Sequence, residues 1–328
     1  MTQRPDDPTP IALLIDDPSP LIHVFREHWR DVHHKEPVTE DGRPLLEVIP
    51  NDFLDRFCDV MERWGIKGKF SIVPSPAGKG DVVHGIEGFD PALTHAWMET
   101  AKRRLSPLCD FCPEGITHNL ALNLETGEYF DEGETQWSQH QTQSTLTPYL
   151  SHQFSLLKQA GIDCTGITSP WVFGIEVEDE FIAAIVAAQK QVFDRDFSWY
   201  FLHMLWDNPE TRPWIAYQEG GVTLVAIAAS VKDWWWDTIN SPRTDSAWIE
   251  SVTDKMLTSD GTSGQIVDAL NAGGWPIILT HWQSLWSNGL ETGLAVLDEL
   301  GRRVTENLSD RVRWMTCSEI ARITAAAV

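Results

Sequence analysis

Four residues stand where apolar runs end, and together they could hydrolyse an amide or an ester. Asp16 and Asp17 close the run in "IALLIDDPSP" (11–20), His118 closes "PEGITH" (113–118) and His281 closes "PIILTH" (276–281). Adjacent carboxylates repel each other, and a divalent metal gives them a reason to stay ionised together. It neutralises Asp17 and acidifies a water whose proton Asp16 accepts. Hydrolysis then needs an acid for the leaving group, and His281, on a different run, can supply it. The competing role for the acid pair is to cap the turn "DDPSP", although a cap needs one Asp and two are present. His118 and His281 have a plain alternative too, as buried and hydrogen-bonded core residues.

Something must carry these residues to one place. Short apolar runs at 11–16, 68–74, 113–118, 164–169, 198–204, 222–230, 276–281 and 312–317 alternate with helical patterns. In "DFLDRFCDVMERWG" the residues Phe53, Phe57, Val60, Met61 and Trp64 recur at helical spacing before Gly65, and Leu294, Leu297, Leu300 and Val304 do the same further on. Strand followed by helix, repeated about seven times, predicts an α/β fold with a parallel sheet and outer helices. With no linker to divide the chain, the economical arrangement is one distorted (β/α)7-type barrel, a single domain over 1–328. The long polar loops 17–50, 75–90 and 119–145 follow strand ends, which places them on the functional face of such a barrel.

Composition excludes some partners. The 328 residues hold 48 acids against 25 bases, a net charge of -23, so the average field repels phosphate backbones and anionic lipid. Neither nucleic acid nor a membrane is expected as a partner. A small molecule or an oligosaccharide is. The opening "MTQRPDDPTP" lacks the charged-then-apolar pattern of a signal peptide, and the five cysteines suit a reducing compartment, so a cytoplasmic location is expected. Cys109 and Cys112 have a Cys-x-x-Cys spacing with no second pair to complete a zinc site, which favours a core role. Sixteen tryptophans are unusual, and several follow strand ends. Most should be core, while Trp171, Trp234 and Trp282 are placed to wall a cleft and stack on a ring.

The order of these strand-end residues resembles the polysaccharide deacetylase superfamily, the NodB-homology group of glycoside hydrolase/deacetylase barrels. "LIDDP" occupies the place of that family's Thr-Phe-Asp-Asp-Gly motif and "GITHN" that of its histidine motif. "TSPWVFG" resembles the Arg-x-Pro-x-Gly segment through Pro170, "KDWWWD" the Asp-Trp motif through Asp233 and Trp234, and "ILTHW" the late Leu-x-His motif. The resemblance spans about residues 10 to 325 and rests on shared order more than on any one motif. It implies a metal-dependent hydrolase, with zinc the expected ion, removing an acyl group from an N- or O-acylated sugar or a related small amide. Asp16 would be the base, His281 the acid, Asp17 and His118 metal ligands, and Asp233, Trp171, Trp234 and Trp282 substrate contacts.

Three departures accompany the resemblance. Leu122 stands where the family has its second histidine, Thr168 where it has the arginine that braces the catalytic acid, and Pro18 where it has a glycine. Either a third ligand from a long loop, His23 or His84 ahead of Asn123, or a site largely empty as purified is therefore expected. Two other readings of the same residues stay open. One is a metal-independent glycoside hydrolase or lyase using Asp16 or Asp233, and the other a catalytically silent carbohydrate-binding barrel.

Overall fold

The computed structural model describes residues 7–327. Seven parallel strands form its centre: β1 (Thr9–Asp16), β2 (Gly68–Ile72), β3 (Cys109–Pro113), β4 (Gly166–Thr168), β5 (Phe197–Met204), β6 (Val222–Ala229) and β7 (Ile277–His281). They fall into two sheets, one in the order β7-β1-β2-β3 and one running β4-β5-β6 with an antiparallel strand, Trp214–Glu219, on β6. Isolated parallel bridges join the sheets at both edges: Phe111–Cys164 and Glu114–Thr168 on one side, Val231–Ile278 on the other. Backbone hydrogen bonds follow the same seams, Thr165 N–H to the Phe111 carbonyl (3.2 Å) and Ser230 N–H to the Ile277 carbonyl (2.9 Å). The run at 312–317 supplies only a short strand, Val312–Trp314, paired with the start of β1.

Side chains alternate along each strand, and the two faces of these sheets enter different cores. Leu13, Ile15, Phe70, Ile72, Phe111, Tyr200 and Ile278 pack outward under the helices. Ala12, Leu14, Cys112, Trp199, Phe201, Val225, Ile277 and Leu279 form an inner core with Met315, Cys317 and Ile320 of the C-terminal helix Cys317–Ala326. This period of two settles the Cys-x-x-Cys question. Three positions apart on β3, Cys109 faces outward and Cys112 inward, so the thiols cannot share an ion. Burial pushes both thiols above the ordinary cysteine range.

The outer layer contains α1 (Val24–Asp31), α2 (Asp52–Trp64), α3 (Pro91–Leu105), α4 (Gln143–Gln159), α5 (Glu178–Phe193), α6 (Ser246–Met256), α7 (Gln265–Ala272) and α8 (Thr292–Leu308). The predicted stop of α2 is Gly65, whose left-handed backbone (φ 60°) lets its N–H reach the Met61 carbonyl. α1 belongs to the long loop after β1. Its Glu27 is fully buried and pairs with Arg26, Arg30 (2.7 Å) and Lys79 (2.6 Å), which ties that loop to the one after β2. Among the described residues no helix is long and apolar enough to cross a membrane. The third predicted run needs a correction: β3 ends at Pro113, and "EGITH" is a turn after the strand. Gly115, at φ 67°, breaks the extended conformation there.

Gly68 marks the closest approach of β2 to β1. A methyl group added there would lie 1.7 Å from the Leu13 carbonyl oxygen, an atom that cannot swing aside. Gly68→Ala should lower stability by about 1–3 kcal/mol, seen as a lower denaturant midpoint at unchanged slope. An unaltered midpoint would mean that the strands separate easily.

Candidate functional site

On the inner face the apolar layer gives way to ionic residues at the carboxyl ends of the strands. Asp16 follows Ala12 and Leu14 on that face of β1, and His281 follows Ile277 and Leu279 on β7; the two are register partners. Glu114 stands two residues beyond Cys112. Lys69, level with Leu14 on β2, is fully buried. Its ammonium donates to Asp16 Oδ1 and to the Ser71 hydroxyl and lies over the Phe201 ring, 4.9 Å from the centroid. Burial works against that charge, but Asp16 outweighs it and holds the ammonium above its ordinary range. Ser71 bonds Thr168 at 2.9 Å, so Thr168 joins the support of Asp16 one step removed.

Two neighbouring acids reach the same region because the chain leaves the strand conformation between them. Asp17 has φ 66°, which re-aims a side chain that strand alternation would send outward. It is buried; its N–H donates to Glu114 Oε2 (2.8 Å) and its Oδ2 accepts from Gln283. His118, at φ 54°, brings Nε2 to 2.8 Å from Asp17 Oδ1 and 3.8 Å from Glu114 Oε1. Its turn is held by Glu134, a buried acid from the loop after β3. The Glu134 carboxylate accepts from the N–H groups of Ile116, Thr117 and His118 and from the Tyr149 hydroxyl.

Asp17, Glu114 and His118 each place one ligand atom within 4.8 Å of the others, all buried. Apart from the 2.8 Å contact with His118 Nε2, Asp17 Oδ1 has no hydrogen-bond partner, which leaves it free to act as a ligand oxygen. Charge argues the same way. Burial, with Asp16 and Asp17 close by, pushes Glu114 well above the ordinary carboxylate range. The three acids thus call for a proton or a further cation beside Lys69. Burial opposes a charged His118, yet Asp17 overcomes it and raises that imidazole. Two oxygens and one nitrogen suit a divalent ion of intermediate hardness.

Glu114, like Lys69, is a site residue that the sequence reading missed. The expected third ligands lie elsewhere. His84 is exposed and bound to Asp81, and Asn123 organises an exposed turn through the N–H groups of Glu125 and Thr126. His23 is buried; its Nδ1 caps α1 by accepting from Arg26 N–H, and burial lowers its pKa to about 4. The signal for Glu114 was a carboxylate four residues before His118 at the end of an apolar run.

At the same strand ends, His281 Nδ1 meets Asp233 Oδ2 at 2.6 Å, and Asp233 Oδ1 accepts from Trp235 N–H (2.9 Å). Burial disfavours the charged ring. The hydrogen bond and charge of Asp233, with Asp17 and Asp16 behind them, nonetheless push His281 up to about 9. The imidazole is about a fifth exposed, so a ligand can reach it.

The three tryptophans separate. Trp171, 45% exposed at φ 54°, lies 6.4 Å from the His118 ring and 5.4 Å from that of His28. Trp234 is half-buried, with Nε1 on Gln265 (2.8 Å) and Lys232 and Lys255 over its ring. Trp282 must be reassigned. It is 1% exposed and packs on Phe53, Phe57, Phe70 and Trp97, so it is core and walls no cleft. Trp236, which the sequence reading left aside, has its ring 5.2 Å from that of His281.

No family model and no curated protein matches this chain. Among solved structures it is similar to a 4-alpha-glucanotransferase from Thermococcus litoralis, at 12% identity and a TM-score of 0.46. The match covers 96% of this chain and 40% of that one, so the chain spans less than half the length of its neighbour.

Two outcomes follow from the site's electrostatics. Lys69→Met leaves Asp16 buried and unpaired and should destabilise the fold by about 3–5 kcal/mol, whereas the double change with Asp16→Asn should recover much of that loss. Equal stability of the single and double variants in denaturant titrations would remove the pairing argument. Asp233→Asn should bring the His281 titration down from about 9 towards the ordinary imidazole range, as followed by NMR. A midpoint that stays put would show that Asp233 is not its cause.

Proposed function

We propose that the two bridged sheets close into one barrel domain and that its carboxyl-end mouth is the active site of a metal-dependent acyl hydrolase, acting on an N- or O-acylated sugar or a related small amide. The observation that carries this reading is the convergence of three groups. They are the Asp17–Glu114–His118 ligand set, the Lys69-paired Asp16, and the Asp233–His281 pair, whose histidine is the register partner of Asp16. The sugar comes from the family resemblance and from the exposed indole of Trp171 beside His118.

Asp17, Glu114 and His118 would hold a divalent ion, zinc first among the candidates. When bound, that ion supplies Lewis acidity for the carbonyl and the attacking water. The remaining steps belong to the protein. Asp16 accepts the proton as water adds to the acyl carbon, with Lys69 fixing the carboxylate and Ser71 and Thr168 fixing Lys69. His281, charged through Asp233, donates its proton to the departing nitrogen or oxygen as the acyl bond breaks. One water is consumed, and a carboxylic acid and an amine or alcohol are released.

The same residues contain a second reading. Glu114 as a buried, proton-holding acid near the Asp16 carboxylate is the kind of pair that metal-free glycoside hydrolases use. Removal of metal separates the two.

Asp17→Asn, Glu114→Gln and His118→Ala should each lower both bound metal and release of acetate from acetylated substrates. Asp16→Asn should retain the metal and lose about 10²–10⁴-fold in kcat. Elemental analysis and acetate assays on the same preparations check this. Full acetate release by exhaustively chelated, metal-free protein would overturn the metal dependence, and new reducing ends from glycosides without any release of acetate would overturn the acyl-hydrolase reading and leave the glycosidase one.

A further inference from the structure

Gln283 is a buried amide that no step of the proposed hydrolysis uses. It is 1% exposed and stands two residues after His281, on the short helix Trp282–Trp286. Its Nε2 donates to Asp17 Oδ2, reaching from the end of β7 to the end of the neighbouring β1. The turn that carries it is fixed at several points. Trp282, Leu285 and Trp286 belong to the outer core, and the Ser284 hydroxyl donates to the His281 carbonyl (2.8 Å). The Ser287 hydroxyl donates to the Ser284 carbonyl (2.8 Å) and accepts from Gly293 N–H at the start of α8 (2.7 Å). Glu114 is held in a way that matches Asp17, its Oε2 accepting from Asp17 N–H (2.8 Å). Each carboxylate therefore commits one oxygen to a donor of the protein and presents the other to His118 Nε2, Asp17 Oδ1 at 2.8 Å and Glu114 Oε1 at 3.8 Å.

Asp16 and Asp17 are neighbours with different kinds of partner. Lys69 brings Asp16 a full positive charge, whereas the amide of Gln283 fixes one oxygen of Asp17 and adds no charge. A fixed ammonium repels a metal ion from the carboxylate it holds, and a neutral donor does not. We infer that Gln283 is a positioning residue that reserves Asp17 Oδ1 for the ion, so that Asp17 and not Asp16 becomes the ligand. The inference rests on the hydrolase reading of the Asp17–Glu114–His118 set and adds the residue that aims it. Without the amide, Asp17 Oδ2 is a buried acceptor with no donor, and the carboxylate is free to turn that oxygen towards the ion or His118. Donors behind metal ligands commonly act in this way, and losing one costs about 10- to 100-fold in metal affinity.

The test measures binding of Zn2+, Mn2+ and Co2+ to the whole protein by competition with a chromophoric chelator, and records thermal unfolding of each metal-free variant. Gln283→Met is close in volume and removes the donor. It should weaken each ion by about 10- to 100-fold while the metal-free protein still unfolds in one cooperative transition. Gln283→Lys gives Asp17 the kind of partner that Asp16 has and should weaken the ions further than Gln283→Met does. The visible spectrum of the Co2+-loaded protein should also change in Gln283→Met, because the oxygens offered to the ion change; a role in folding alone would leave that spectrum as it is. Should Gln283→Met fail to fold, a crystal structure of the wild-type protein with Mn2+ decides. An ion on Asp17 Oδ1 with Gln283 still on Oδ2 supports the inference, and an ion on both oxygens of Asp17 or on Asp16 overturns it. A folded Gln283→Met with wild-type affinity and an unchanged Co2+ spectrum overturns the positioning role and leaves the hydrolase standing. Ions held with the expected dependence on Gln283, but no acetate released from any acetylated substrate, leave the positioning role standing and overturn the hydrolase. Wild-type protein that takes up none of the three ions overturns both.

Discussion

Negative charge buried at the ends of parallel strands is the constraint around which the molecule is arranged. Asp16, Asp17, Glu114, Glu134 and Asp233 are each 5% exposed or less; four of them lie at or just beyond the carboxyl ends of β1, β3 and β6, and Glu134 reaches in from the long loop after β3. A buried carboxylate persists only with a cation, a proton or several donors to satisfy it. Each acid here has a different solution. Lys69 answers Asp16, backbone amides and a phenol answer Glu134, and an imidazole answers Asp233. Asp17 and Glu114 share His118: against its burial, that imidazole holds Asp17 below the ordinary carboxylate range, while Glu114 is left well above it. The sharing of one imidazole by two carboxylates singles them out from the acids around them.

Conformational strain collects at the same level. Asp17, His118 and Trp171 all occupy the left-handed region, which few non-glycine residues adopt; aspartate and histidine are among the types found there more often, and the bulky tryptophan is the outlier. Three such residues just past β1, β3 and β4 are stable only because neighbours over-determine them. Examples are the Glu114 carboxylate on the Asp17 amide and the Glu134 carboxylate on the His118 amide. The carboxylates therefore serve twice, as charges in the site and as acceptors for the bent backbone that aims it. Removing Glu134 would free three N–H groups in the turn that carries His118, so that acid positions the site without touching a substrate.

Burial and loop placement then divide the aromatic residues. Trp282 follows His281 directly, yet it turns into the space between β2 and the helices and fills it with Phe53, Phe57 and Phe70. Trp171 follows a strand in the same way and projects to solvent. The difference lies in what comes next. Residues 282–286 start a short helix packed under the outer layer, whereas residue 171 sits in a turn held by Pro170 and Phe173.

The strand–helix alternation, the stop of α2 at Gly65, and the acids and histidines at strand ends could all be read from the sequence. Each depends on periodicity or turn chemistry within a few residues. Asp16, Asp17, His118 and His281 were legible because polar residues closing apolar runs have few structural explanations. Lys69 and Glu114 were not. A lysine inside "GKFSIVP" looks like an ordinary solvent-facing strand residue until β1 is placed beside it, and Glu114 was hidden by a strand boundary set five residues too late. The third ligand was sought among loop histidines, but local sequence holds no information on which loops turn inward. His23 went to a helix cap and His84 to Asp81. Which acid meets which cation, and which tryptophan meets water, depends on contacts between residues tens to hundreds of positions apart. Only the packed tertiary structure sets those distances.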